Sequence, residues 1–253
     1  MYTIEVFESN SKGRDFVVGD IHGHFKLLAS LMEKVNFNTQ QDRLFCVGDL
    51  IDRGPDSIDV LKWLSEPWFH GVRGNHEQML MDCLSGRGDI NRHTRNGGAW
   101  LYALSPSVQS EIYNALQTLP VMIEIGLADG RKVGIVHAEA FLSCATHSWQ
   151  DAKDAISGMR GESAQQQALK TALYAREKIE QQNQAAIIGL DRLYVGHSTV
   201  PHVHALGNVV YIDTGCSFSD GALSLIEIES GEVAHVSMHS LLGDSPSSVH
   251  STS

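Results

Sequence analysis

Cysteine is scarce in this sequence. Cys46, Cys83, Cys144 and Cys216 are far apart and form no CxxC pair, which excludes a disulfide scaffold and a structural zinc knot and leaves free thiols of a reducing compartment. Basic residues are outnumbered, 19 against 30, for a formal net charge of −11. A surface built to coat nucleic acid needs the opposite balance, so no nucleic-acid partner is expected. Long apolar runs are missing, and MYTIEVFESNSKGR carries no basic stretch followed by an apolar core and a small-residue cleavage site. No membrane partner is therefore expected, and the expected location is cytoplasmic. The patterns GxxxxGK[ST], GxGxxG and GxSxG do not occur, which removes the P-loop, dinucleotide and serine-hydrolase readings.

What is present is a motif that recurs. FVVGDIH at 16–22 runs a short apolar strand into Asp20 and His22. LFCVGD ends at Asp49, GVRGNH at Asn75 and His76, VGIVH at His137 and LYVGH at His197. In an α/β sheet, side chains just past the carboxyl ends of strands converge on one crevice, so these five endings are expected to build one site. Helical spacing follows the first strand (Phe25, Leu28, Leu31, Met32, Val35), the second (Ile58, Val60, Leu61, Leu64) and the third (EQMLMDCL). Three successive βα units predict parallel pairing with right-handed crossovers.

Downstream, the sequence predicts loop over 85–98, a hairpin from 121–125 and 132–136, and a helical excursion across 140–185. Strands are expected at 187–190, 193–195, 209–212, 223–228 and 233–238, in an antiparallel or mixed second sheet. With no repeat and no linker, 253 residues of 42% hydrophobic composition read as one α/β domain over 1–242 and a flexible tail, GDSPSSVHSTS, at 243–253.

Asp20 and His22, two apart in a loop, suit one ion with Asp49 as third ligand. A carboxylate has two oxygens, so Asp49 can bridge to a second ion completed by Asn75, His137 and His197. Singly, each has an ordinary reading: an Asp after Gly forms turns, Asn75 caps the next helix, and a histidine makes a hydrogen bond. Five strand-end placements together favour the metal centre. His76 follows a ligand without having to face the same way, which makes it a candidate general acid, with Asp52 to orient it. Arg53 and Arg73 can fork onto phosphate oxygens; Arg73 alternatively supports a loop through an ion pair.

GDIHGH at 19–24, GDLIDRG at 48–54, RGNHE at 73–77, VHA at 136–138 and VGHS at 196–199 together resemble the metallophosphoesterase superfamily, and within it the phosphoprotein phosphatases of the compact bacterial and bacteriophage lambda type. The resemblance covers roughly 14–230. It implies a four-layer α/β fold, a mixed β-sandwich flanked by helices, and hydrolysis by direct attack of metal-bound water or hydroxide. By the same resemblance two divalent metal ions are implied, Mn²⁺ foremost with Fe or Zn as alternatives. Asp20, His22 and Asp49 match the ligands of one ion, and Asp49, Asn75, His137 and His197 those of the other. His76 with Asp52 matches the acid pair and Arg53 a phosphate-binding arginine. A second such arginine usually stands in Trp-x-Arg; here YAR at 174–176 offers Arg176, with Tyr174 in place of Trp. The implied substrate is phosphoserine or phosphothreonine in a protein or peptide, and a compact catalytic domain extends this to phosphotyrosine. Two alternatives stand beside it: a symmetrical dinucleoside tetraphosphate hydrolase, whose relatives usually read GDLVNRGP and GNHD, and a noncatalytic module that metals merely tie together.

Overall fold

The structure is a computed structural model, and it describes residues 3–140 and 148–241. Cys144 and the tail expected at 243–253 lie outside the described residues.

In chain order, strand β1 (Ile4–Phe7) precedes β2 (Asp15–Val18), helix α1 (Phe25–Lys34) and β3 (Arg43–Cys46). A short 3₁₀ turn leads into α2 (Val60–Leu64), then β4 (Phe69–Gly71), α3 (Asn75–Leu84), α4 (Ile90–Arg95) and α5 (Pro106–Gln117). The hairpin β5 (Met122–Gly126) and β6 (Lys132–Val136) is followed by α6 (Trp149–Ile156), α7 (Glu162–Tyr174) and α8 (Glu177–Glu180). The chain then adds β7 (Arg192–Val195), β8 (His204–Leu206), β9 (Val209–Tyr211), β10 (Ala222–Glu227) and β11 (Val233–Ser237).

Among the described residues the strands form two mixed sheets, one ordered β1-β5-β6-β7-β9-β8 and the other β11-β10-β2-β3-β4. The three βα units pair in parallel, Val18 opposite Cys46 and Cys46 opposite Gly71. Strand alternation explains the stacking. Val17, Phe45, Ile123, Ile135 and Tyr194 point between the sheets. Their neighbours Phe16, Val18, Leu44 and Cys46 point outward, onto Leu28 and Leu31 of α1, Leu80 of α3 and Leu116 of α5. On the opposite face, Val136, Leu193 and Val195 meet Trp149 of α6 and Leu169 of α7. Helices, sheet, sheet, helices give the four layers, and each of these large apolar side chains contributes about 1.5–3 kcal/mol on burial.

Four local expectations differ from the structure. β1, paired in parallel with β5, stands ahead of the first strand expected from the sequence; its outward pattern hides it, since Val6 is exposed. α4 interrupts the loop expected over 85–98 because the side chain of Asp89 caps it, accepting from the N–H groups of Asn91 and Arg92. The strand expected at 187–190 is only an isolated bridge between Ile188 and Ser148, broken by Gly189 at φ +92°. β10 and β11 join the sheet of β2–β4 rather than a separate second sheet.

Candidate metal centre

Both sheets deliver side chains to one cavity of about 310 Å³ lined by Asp20, His22, Asp49, Arg53, Asn75, His76, Asn96, Arg176, His197, Thr199, Asp213 and Phe218. Asp20 and His22 follow β2, Asp49 follows β3, and Asn75 opens α3 after β4. From the other sheet, His137 follows β6, His197 follows β7 and Asp213 follows β9. The turns that aim these groups are unusual. Five of the seven non-glycine residues at positive φ among the described residues are His22, Asp49, Asp52, Arg53 and His197. Such backbone costs of order 1–3 kcal/mol each and persists only where packing enforces it. Gly48, at φ +102°, has no room for a side chain, because a Cβ there would lie 2.8 Å from Gly74 N and from His137 Nδ1.

Two donor groups share Asp49. One atom each of His22, Asp49 and His76 lie within 4.8 Å of one another, and so do atoms of Asp49, His137 and His197. Two of the imidazoles each spend one nitrogen on a backbone carbonyl, which leaves the other for an ion. His22 Nδ1 is 3.1 Å from Ile51 O and His137 Nδ1 is 2.9 Å from Val47 O, while the His197 ring stands edge-on to Tyr174. Burial lowers all three rings: His22 and His197 fall to about 3, and His137 is also lowered. Carboxylates show the converse strain. Burial together with the charges of Asp213 and Asp49 pushes Asp20 well up, whereas Asp49 is driven down despite burial by the imidazoles around it.

These residues fit a pair of divalent ions. With its Nδ1 proton given to Val47, His137 turns a lone pair at Nε2 toward Asn75 Oδ1 only 2.9 Å away. Two acceptors facing each other at that distance make the edge of a coordination shell with bonds of about 2.1 Å, and a cation is what relieves them. The mixed oxygen and imidazole set suits first-row divalent ions.

His76 and Asp52, the pair expected to serve as acid and orienter, are in contact, His76 Nδ1 lying 2.7 Å from Asp52 Oδ2 with both residues buried. Burial lowers the His76 ring, but Asp49 and the bond to Asp52 outweigh it and raise its affinity for a proton. Arg53 Nη2 is 3.3 Å from His76 Nε2, which sets the arginine beside that ring. Arg176 lines the cavity from the far end of α7. Arg73 is not brought there: it bonds Gln78 Oε1, Gln117 O and Leu119 O, bracing α3 against the end of α5.

Other groups escaped the sequence reading. Glu77 joins two ligand loops, its Oε2 accepting from Asp49 N at 2.9 Å and Gly74 N at 2.8 Å while Oε1 accepts from Leu50 N at 2.8 Å. Its only signal was the last letter of RGNHE. Asp213 adds a third carboxylate to the cavity, held by Thr199 Oγ1 and Gly215 N. Trp100 Nε1 donates to Asp52 Oδ1 at 2.8 Å, which ties the 3₁₀ turn Gly98–Ala103 to that carboxylate.

The sequence profile of the calcineurin-like phosphoesterases matches residues 16–180. The chain belongs to that family. A calcineurin-like phosphoesterase is a metal-dependent hydrolase, and the site for two ions with His and Asp ligands accords with it. The phosphoesterase is 36% identical to serine/threonine-protein phosphatase 1 of Salmonella typhimurium LT2 over 85% of this chain and 91% of that protein. It is 42% identical to a symmetrical bis(5'-nucleosyl)-tetraphosphatase of Serratia proteamaculans over 42% of this chain and 37% of that one. A crystal structure described as a candidate diadenosine tetraphosphatase superposes with a TM-score of 0.64 at 22% identity, covering 93% of this chain and 98% of the other.

Proposed function

We propose that this phosphoesterase removes phosphate from phosphoserine and phosphothreonine, and from phosphotyrosine, in proteins or peptides. The observation that carries the reading is the buried Asp52–His76 bond of 2.7 Å beside the cavity. A serine or threonine alkoxide is a poor leaving group and requires a proton as the ester bond breaks, whereas a nucleotide phosphate leaves readily as an anion. In this assignment Asp20, His22 and Asp49 hold one ion and Asp49, Asn75, His137 and His197 the other, with Mn²⁺ as the activating metal. Bound there, two ions supply Lewis acidity to a phosphoryl oxygen and acidify a water molecule toward neutral pH. Arg53 and Arg176 hold the remaining phosphoryl oxygens through their guanidinium forks and steady the charge that develops on them. As the P–O ester bond breaks, His76 gives its Nε2 proton to the departing oxygen and keeps its Nδ1 proton, whose hydrogen bond to the Asp52 carboxylate fixes the ring. The long match to a protein phosphatase supports the same reading.

The second reading, symmetrical cleavage of dinucleoside tetraphosphates, draws on the higher local identity to the Serratia tetraphosphatase. One assay separates the two. Metal-loaded protein is given phosphoserine, phosphothreonine and phosphotyrosine peptides alongside diadenosine tetraphosphate. Peptide turnover well above nucleotide cleavage is expected; efficient nucleotide cleavage with negligible peptide turnover would sink the phosphatase assignment.

A further inference from the structure

Asp52 has a second histidine. His93 on α4 is fully buried, and its Nε2 lies 3.1 Å from Asp52 Oδ2, the same oxygen that receives His76 Nδ1. Its Nδ1 is 2.8 Å from the hydroxyl of Tyr102. These contacts are satisfied when Tyr102 donates to His93 and His93, His76 and Trp100 all donate to the Asp52 carboxylate. His93 is absent from the cavity lining, so whatever it does reaches the chemistry through Asp52.

A buried imidazole is an expensive way to fill space, because an apolar ring of similar size carries no desolvation cost. The surroundings nevertheless make way for it. Gly98, in the 3₁₀ turn Gly98–Ala103 that follows α4, faces the ring so closely that a Cβ there would overlap it. Asp52 itself sits at φ +71°, a turn conformation that does not by itself settle where the carboxylate points. Without His93, Oδ2 keeps a single donor and the carboxylate is free to pivot about the Trp100 bond.

We propose that His93 is a positioning residue for the acid, holding Asp52, and through it His76, in the orientation from which the proton reaches the leaving oxygen. The proposal rests on the reading of His76 as that acid. Positioning an acid matters in proportion to how much the leaving group needs one. A phosphoserine peptide releases a strongly basic alkoxide; p-nitrophenyl phosphate releases a phenolate stable enough to depart unprotonated.

Three variants test it with both substrates on metal-loaded enzyme. His93→Phe keeps a ring against Tyr102 but no donor, and is expected to lower kcat about 10- to 30-fold for the phosphoserine peptide, a part of the acid's own contribution of about 10²–10⁴. On p-nitrophenyl phosphate its kcat should stay within about threefold, with KM for both substrates little changed. His93→Gln places an amide N–H near the position of Nε2 and is expected to restore most of the loss, while Gly98→Ala, which displaces the ring, should resemble His93→Phe. A proton NMR spectrum should show the His76 Nδ1–H resonance, low-field and slow to exchange, moved in His93→Phe and returned in His93→Gln. Equal losses on the two substrates, or no rescue by Gln, would mark His93 as a structural filler and overturn the proposal. His76→Asn is the control: if it too fails to discriminate between the leaving groups, the acid assignment itself is what fails, and the proposal falls with it.

Discussion

Glu77 shows how much one side chain can hold in place. Its two oxygens accept from the backbone on both sides of Asp49 and from Gly74, which precedes Asn75, so one carboxylate fastens the ends of β3 and β4 together. Glu77→Gln puts an N–H where one of those acceptors stood, leaving a buried donor facing a donor. The expected loss is about 2 kcal/mol of stability, or roughly 4–8 °C in Tm for a domain of this size, read by calorimetry. An unchanged Tm would show that the loops are held by something else. The ligands themselves were legible because each stands beside a strand end, where sequence position and spatial position nearly coincide. Glu77, His93 and Trp100 were not, since His93 and Trp100 reach Asp52 across 41 and 48 positions and Glu77 binds backbone groups, and short motifs carry no information about such bonds.

At the level of elements, Glu124 of β5 is a charged joint, accepting from Lys132 of β6, from Lys153 of α6 and from the indole of Trp149. Burial pushes this carboxyl up, but the three donors outweigh it and hold it at about 2, below its usual 4.5. A depressed carboxyl contributes stability that is fully present above the ordinary carboxylate range and is lost as pH falls toward 2. Lys132 is half exposed, so solvent screening reduces the contribution to about 1–2 kcal/mol. Glu124→Gln should therefore cost that much at pH 7 and flatten the stability curve between pH 5 and 2, measured by urea unfolding; a variant with the wild-type pH slope would contradict the joint. The βα units were readable because apolar period and ligand motif agree. β1 and α4 were not, one being a half-exposed edge strand and the other a short helix that depends on a single cap.

On the scale of the whole molecule, metal and fold are linked. Five residues in strained turns, and an Asp20 carboxyl raised by burial and by the charges of Asp213 and Asp49, make the metal-free protein carry a cost that ions remove. Chelation should lower Tm, and Mn²⁺ at about a hundred times its Kd should restore about 2.7 kcal/mol, with Asp49→Asn abolishing the response. A Tm indifferent to metal would mean the ions sit in a site the fold does not notice.

Asp20, His22, Asp49 and Asn75 come from one sheet, His137 and His197 from the other. The cluster is therefore a gauge of how the two sheets are aligned. A slide by one residue, about 3.3 Å, would carry both distal histidines out of reach of Asp49 while leaving every strand intact. Substitutions deep between the sheets, at Phe45, Ile135 or Tyr194, can thus silence the protein from a distance, by misalignment rather than by contact, and with its secondary structure unaltered.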